Sequence, residues 1–212
     1  MPRIRVKICG FTRIGDAVAA AEAGADAIGL VFYPPSPRHV SVEQARAIVD
    51  ALPPFVTTVG LFVDETPAGI EAVLRRVPLD LLQFHGGESP GQCERFDRPY
   101  IKAIRMAEGV DLALEAKRYR RARGLLLDAW HPEVPGGTGE RFDWRRIPGD
   151  LPLPVILAGG LTPANIGEAI RAVRPFGVDV SSGVESGKGI KDQDKMAALI
   201  EEVTHGDCTR AA

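Results

Sequence analysis

Residues 153–191 read LPVILAGGLTPANIGEAIRAVRPFGVDVSSGVESGKGIK. Two strand-turn-helix units follow one another in this stretch. In the first, the apolar run Leu153–Ala158 ends at Gly159-Gly160, and a helix capped near Thr162 is expected. In the second, Gly177–Val180 ends at Ser181-Ser182-Gly183, and a helix is expected from about Lys191. Neither turn carries a bulky side chain, so bare backbone N–H groups can converge on an anion and a following helix N-terminus adds its positive dipole. Two such turns in tandem, this late in the chain, match the place where a (β/α)8 barrel holds a phosphate, after strands seven and eight. The plainer alternative, glycines that only make tight turns, stays open on this stretch alone.

The rest of the chain repeats the alternation. Arg3–Cys9 has strand period, with Ile4, Val6 and Ile8 on one face and Arg3, Arg5 and Lys7 on the other. The alanine-rich helix Asp16–Ala23 follows, stopped by Gly24, then the continuous apolar strand Ala27–Tyr33 expected of a buried parallel sheet. Three prolines in Pro34–Pro37 stiffen the loop that presents Arg38. Ser41 and Gln44 form a capping-box pattern for a helix Val42–Leu52. Strand Val56–Val63, helix Pro67–Val77, strand Leu79–Phe84 and a short helix around Gln92–Phe96 opened by Ser89 come next. Strand Tyr100–Ile104, a polar helix Asp111–Arg121 and strand Gly124–Asp128 complete the middle. The Gly-rich loop Trp130–Arg141 and a short helix Trp144–Ile147 lead into the opening stretch, and a helix Asp192–Val203 closes the fold.

Eight strands alternate with eight helical segments, at about 26 residues per unit for 212 residues. That pattern predicts parallel strands with right-handed crossovers, and its count favours a closed barrel over an open doubly wound sheet. The α/β fold expected is a single-domain (β/α)8 TIM barrel over residues 1–204, with 205–212 as a flexible C-terminal tail. No GxGxxG follows the first strand, which disfavours a dinucleotide fold.

Charge and cysteine usage narrow the partners. A net charge of −2, from 26 basic and 28 acidic residues, argues against a nucleic-acid or membrane surface. Glu22 and Asp26 interrupt the best apolar segment, and Met1–Gly10 does not have the pattern of a signal peptide. Cys9, Cys93 and Cys208 are widely spaced, with no CxxC or HExxH, so a reduced cytoplasmic protein without a metal is expected.

Functional groups of a barrel project from strand C-termini. Here that rule selects Cys9, Arg38, Asp64, Gln83, His85, Arg105, Asp128 and Asp179. Cys9 ends strand one and Asp128 ends strand six, three steps apart through strands seven and eight, with the two phosphate turns on the arc between them. Each has a bland alternative. A barrel cysteine is commonly a small core residue, although a nearby cation such as Lys7 favours the thiolate. A carboxylate closing Leu125-Leu126-Leu127 is expensive to desolvate unless it is paired or lies in a cleft. Arg38 is as readily a surface charge, and His85 as readily a turn residue. The glycines of the Trp130–Arg141 loop suit a lid.

Seven motifs in order resemble those of the phosphoribosylanthranilate isomerases of tryptophan biosynthesis. They are Lys7-Ile8-Cys9-Gly10, Ser36-Pro37-Arg38, Gln83-Phe84-His85-Gly86, Leu127-Asp128, Gly136-Gly137-Thr138-Gly139 with Phe142-Asp143-Trp144, Ala158-Gly159-Gly160-Leu161, and Asp179–Glu185. The resemblance spans Arg3 to about Val203. It implies a (β/α)8 barrel that needs no cofactor and performs an Amadori rearrangement of N-(5-phosphoribosyl)anthranilate to 1-(2-carboxyphenylamino)-1-deoxyribulose 5-phosphate. By resemblance, Cys9 is the general base and Asp128 the general acid, and Arg38 pairs with the anthranilate carboxylate. The Gly159-Gly160 and Ser182-Gly183 turns hold the phosphate. Lys7, Gln83, His85, Asp179 and Ser181 complete the expected substrate site. The partner implied is a phosphorylated sugar, bound by a monomer or a homodimer. Three rivals remain: a histidine-pathway sugar isomerase with a carboxylate where Cys9 stands, a phosphate-anchored lyase or synthase using lysine and glutamate, and a barrel that only binds phosphorylated ligands.

Overall fold

The apolar runs close on themselves. In a computed structural model that describes residues 3–130 and 142–208, eight parallel strands form a closed barrel in sequence order. They are β1 (Arg5–Cys9), β2 (Ala27–Val31), β3 (Thr57–Phe62), β4 (Leu81–Phe84), β5 (Tyr100–Arg105), β6 (Leu125–Asp128), β7 (Val155–Leu157) and β8 (Gly177–Val180). Closure is made by β8 pairing with β1, Lys7 standing opposite Asp179. The helices are α1 (Ile14–Glu22), α2 (Val42–Ala51), α3 (Pro67–Leu74), α4 (Pro90–Cys93), α5 (Leu112–Arg118), α6 (Ile166–Val173) and α7 (Gln193–Cys208).

Local chemistry sets where the helices begin. Ser41 and Gln44 exchange hydrogen bonds in a capping box at α2, and at α4 the Gln92 side-chain oxygen accepts from both the amide and the hydroxyl of Ser89. Thr66 accepts from the Gly69 amide with Pro67 at the first helical position of α3, and the Asp111 carboxylate caps α5. Such contacts satisfy amides that have no partner inside the helix.

Strand pleat divides the core in two. Ile101, Ala103, Leu126 and Ala158 point into the barrel, with Leu81 and Ile156 against them. The alternate residues, among them Ile8, Ile28, Leu82, Leu125, Leu127 and Val178, pack outward under the helices. The barrel is thus a filled core whose side chains emerge only at its ends.

The structure departs from the sequence expectation in the last third. The chain does not enter a helix at Thr162. A turn closes first, with the Ile166 amide donating to the Thr162 carbonyl, and α6 begins at Ile166. No helix starts at Lys191 either. A 3-10 turn, Ser182–Val184, leads into a two-stranded hairpin, β9 (Glu185–Gly187) with β10 (Ile190–Lys191), and α7 starts at Gln193. Helix α7 also continues beyond Val203 to Cys208. Among the described residues, the segment between β6 and β7 carries the 3-10 helix Trp144–Arg146. Among the described residues, no helix is long and apolar enough to cross a membrane.

Candidate active site

Cys9 is at the C-terminal end of β1, a buried free thiol in a small cluster with Val31 and Leu61. Its neighbour across the ladder is Gly29, where an added Cβ would come within 2.7 Å of the Cys9 sulfur. Glycine at that position makes the room the thiol occupies. Lys7, two residues earlier on the same inward face, donates from Nζ to Asp179 Oδ1 at 2.8 Å, both side chains buried. Burial works against the Lys7 ammonium, but Asp179 and the Cys9 sulfur outweigh it and hold the lysine above its ordinary pKa. Burial also raises the Cys9 thiol above its ordinary value, against the pull of Lys7.

Arg38 is held on this side of the mouth. Its Nε and Nη2 donate to the two oxygens of Glu185 at 2.8 Å each. That pairing uses one edge of the guanidinium and fixes the plane of the other, which carries Nη1. Lys191 shares the carboxylate, donating to Glu185 Oε1 at 2.9 Å and to the Ser181 carbonyl at 3.0 Å. Burial acts to raise the Glu185 pKa, yet Arg38 and Lys191 prevail and keep it below the usual glutamate value.

Asp128 ends β6 across the mouth, also buried. Its Oδ1 accepts from the Ala129 amide at 2.9 Å, and its Oδ2 lies 3.1 Å from His85 Nε2. Behind the imidazole, Gln83 Nε2 is 2.9 Å from His85 Nδ1. The expected site residues Gln83, His85 and Asp128 are therefore one chain of contacts spanning β4 to β6.

Between these two groups lie the turns. Gly159 and Gly160 have φ of 81° and 62°, left-handed conformations that suit glycine. Asn165 braces the turn from below, donating from Nδ2 to the Gly160 carbonyl and accepting from the Thr162 amide, each at 2.9 Å. Gly183 passes so close to this turn that an added Cβ would lie 1.8 Å from the Leu161 carbonyl oxygen. Among the described residues, the amides of Gly159, Gly160, Ser182 and Gly183 have no acceptor. Ser181 instead ties β8 to β1, its Oγ donating to the Cys9 carbonyl at 3.0 Å.

Two residues chosen from strand ends do other work. Asp64 accepts from the Gly87 amide and shapes the turn after β4. Arg105, at the end of β5, stands beside Asp128 in the ladder without joining the contacts described above. Gly136-Gly137-Thr138-Gly139, like most of the proposed lid, lies outside the described residues. Among those described, no group of three or more histidine, cysteine, aspartate or glutamate side chains is placed to hold a metal ion.

The family model described as N-(5'phosphoribosyl)anthranilate (PRA) isomerase matches residues 6–202. The chain belongs to this family. An N-(5'-phosphoribosyl)anthranilate isomerase of Pseudomonas savastanoi pv. phaseolicola is 61% identical over 206 residues, covering 97% of this chain and 100% of that one. The phosphoribosyl anthranilate isomerase of Thermotoga maritima superposes with a TM-score of 0.84 at 42% identity, over 95% of this chain and 99% of that one. A second solved isomerase, in complex with reduced 1-(o-carboxyphenylamino)-1-deoxyribulose 5-phosphate, gives a TM-score of 0.81 at 40% identity with the same coverage. As a phosphoribosylanthranilate isomerase, the chain carries the isomerase step of tryptophan biosynthesis. Lys191, Gly29 and Asn165 lie outside all seven motifs. Glu185 closes the last of the seven motifs, and only its contact with Arg38 shows what it does.

Proposed function

We propose that Cys9 and Asp128 divide the proton work of the Amadori rearrangement of N-(5-phosphoribosyl)anthranilate, while the glycine turns and Arg38 fix the two ends of the substrate. The observation that carries this reading is the placement of the open amides of Gly159, Gly160, Ser182 and Gly183 on the arc between the two side chains. A phosphate gripped there sets the ribose over the barrel mouth. The remaining edge of Arg38 offers paired donors to a planar carboxylate. Anchoring both ends orients the reacting carbons, the positional share of catalysis.

In the reaction, Asp128 gives its proton to the furanose oxygen as the C1–O bond breaks, leaving an iminium. That cation acidifies the proton on C2, which Cys9 removes as a thiolate. The enolamine then tautomerises to the ketone. Each proton has a side chain to hold it and no electron leaves the substrate. Lys7 and Asp179 floor the site as a neutral pair. The free thiols of Cys9 and Cys93 suit a reducing, cytoplasmic setting.

The rival lyase chemistry needs a lysine and a glutamate in the mouth. Lys102 and Glu88 form such a pair at 3.0 Å, but Lys102 alternates with the inward-facing Ile101 and Ala103 and lies against Tyr119 under the helices. The test is turnover of freshly generated phosphoribosylanthranilate by Cys9→Ser and Asp128→Asn, each expected to lose several orders of magnitude in kcat with folding intact. Near wild-type turnover in either would overturn its role.

A further inference from the structure

A small apolar cluster at the mouth is separate from the barrel interior and from the layer under the helices. Cys9, Val31 and Leu61 are its buried members, and Tyr33 and Val63 pack against them, partly buried. Strand register explains the grouping. Cys9 stands opposite Gly29, and Val31 stands opposite Leu61. Tyr33 and Val63 continue these inward rows just past the ends of β2 and β3, where they rim the mouth. The facing side, over β4 to β6, is polar, with Gln83, His85 and Asp128 in contact.

The loop after β2 joins this rim to Arg38. The Ser36 amide donates to the Tyr33 carbonyl at 2.9 Å, and the Arg38 amide donates to Ser36 Oγ at 3.1 Å. Pro34, Pro35 and Pro37 restrict the backbone between the two residues. The stem of Arg38 lies on Gly10, where an added Cβ would come within 2.5 Å of Arg38 Cδ. The guanidinium and the Tyr33 ring are therefore carried by one stiff loop beside Cys9.

The shape of the substrate selects what covers the rim. Its amine nitrogen is bonded to C1, next to the carbon that Cys9 deprotonates, and its carboxylate is ortho to that nitrogen. With the phosphate after β7 and β8, the reacting carbons by β1 and the carboxylate on Arg38, the aryl ring extends over β2 and β3. We propose that Tyr33 and Val63 are the wall that receives the aryl ring and set the specificity for an aromatic amine. This rests on the anchoring of the phosphate and carboxylate proposed above. A ring laid there takes apolar surface on both sides out of water, and its contact with the Tyr33 ring adds to the gain. A polar amine would give up hydrogen bonds to water against Val31, Leu61 and Val63 for none in return.

The experiment compares two inhibitors. Reduced 1-(o-carboxyphenylamino)-1-deoxyribulose 5-phosphate carries the aryl group, and ribitol 5-phosphate lacks it. In Tyr33→Ala the inhibition constant of the first is expected to rise about tenfold or more, and that of the second to move by less than about twofold. Tyr33→Phe keeps the ring and regains most of the affinity lost in Tyr33→Ala. Val63→Thr keeps the shape and adds a hydroxyl, so the first constant rises about threefold. An unchanged constant for the reduced product in folded Tyr33→Ala overturns the proposal. An equal rise for both inhibitors overturns it too, because the loop would then have lost its shape. Should Tyr33→Ala fail to fold, Val63→Thr decides by the same comparison. Failure of the anchoring is read separately: ribitol 5-phosphate binding indifferent to Gly183→Ala sinks the phosphate turns without altering the comparison of the two inhibitors.

Discussion

His85 Nε2 sits 3.1 Å from Asp128 Oδ2, although their strands, β4 and β6, are separated by β5. The contact links Asp128 to His85 and, through Nδ1, to Gln83. With Gln83 Nε2 donating to His85 Nδ1, the imidazole proton is on Nε2 and points at a carboxylate. With the Gln83 amide turned over, its oxygen accepts a hydrogen bond from Nδ1–H, and Nε2 accepts from a protonated Asp128. The buried Gln83 Oε1 has no partner in the first arrangement. The acid role proposed for Asp128 needs its carboxyl held in one orientation, and the glutamine-histidine pair is placed to hold it. His85→Ala is therefore expected to lower kcat by about 10- to 100-fold, the range typical of a side chain that orients a reacting group, with KM moved much less. Steady-state kinetics across pH check this, and an unaltered kcat profile would remove His85 from the acid's support.

Arg38→Lys keeps the charge and loses the fork. The bidentate pair with Glu185 is replaced by a single mobile ammonium, and the paired donors proposed for the substrate carboxylate are lost with it. KM is expected to rise about tenfold or more, a loss of about 1.4 kcal/mol or more of binding, with kcat less affected. Measuring KM for phosphoribosylanthranilate decides it. An unchanged KM would mean the carboxylate is held elsewhere.

Gly183→Ala tests the phosphate turns by geometry alone. The new Cβ would lie 1.8 Å from the Leu161 carbonyl oxygen, far inside contact distance, so one of the two turns must move. The Gly159-Gly160 and Ser182-Gly183 amides would then be displaced from one another, and the anion site proposed for them would be lost. The expected results are a KM raised about tenfold or more and a matching loss of inhibition by inorganic phosphate. Wild-type inhibition by phosphate would show that these amides do not bind it.

Much of the fold is legible in the sequence, for identifiable reasons. Strand period, continuous apolar runs and turn residues depend on near neighbours in the chain, so all eight strands and the capping box at Ser41 can be read directly, while the short helix expected around Gln92–Phe96 lies earlier, at Pro90–Cys93. The rule that barrel chemistry emerges at strand ends places Cys9 and Asp128 at the mouth, but it selects Asp64 and Arg105 as well. The segment after β8 misleads because a serine-glycine turn marks the end of a strand without specifying the next element, and the hairpin β9-β10 is too short to show a period. Lys191 resembles a helix start for that reason. Its contact with Glu185 depends on how that hairpin folds, and the contact of Glu185 with Arg38 joins residues 147 apart in sequence. Asn165 is hidden because it looks like an ordinary helix-cap residue, and only its bond to the Gly160 carbonyl ties it to the phosphate turn.

Cys93 gives a stability test with a definite sign. Burial pushes its thiol up to about 12, from 9.0 as the ordinary value. Between those values the folded protein holds a proton that the unfolded chain has released. The contribution to stability is fully present below pH 9.0 and is lost as pH climbs towards about 12. Tyr119, also raised by burial to about 12, adds to the same slope. Denaturant unfolding of the wild type and of Cys93→Ala at several alkaline pH values should show a slope shallower by up to one proton in the variant. Identical slopes would mean that the thiol titrates alike in both states.

Lys102 and Glu88 are nearly solvent-free, at 3% and 4% side-chain exposure, and they hold the turn that carries His85. Lys102 Nζ donates to Glu88 and to the carbonyls of Phe84 and Gly86, while Glu88 accepts from the amides of Asp64 and Gly86. Removing one member strands the other. Lys102→Met leaves a buried carboxylate with backbone donors but no cation, at an expected cost of about 3–5 kcal/mol, the usual penalty for breaking a buried pair. Combining Lys102→Met with Glu88→Gln removes the stranded charge while leaving an amide oxygen for the Asp64 and Gly86 amides. The double variant should therefore be more stable than Lys102→Met alone, a non-additivity that a double-mutant cycle in urea measures. Because the turn positions His85 against Asp128, kcat should fall in the single variant and recover in part in the double. Additive stabilities would show that the two side chains contribute independently and that the turn is held by its backbone.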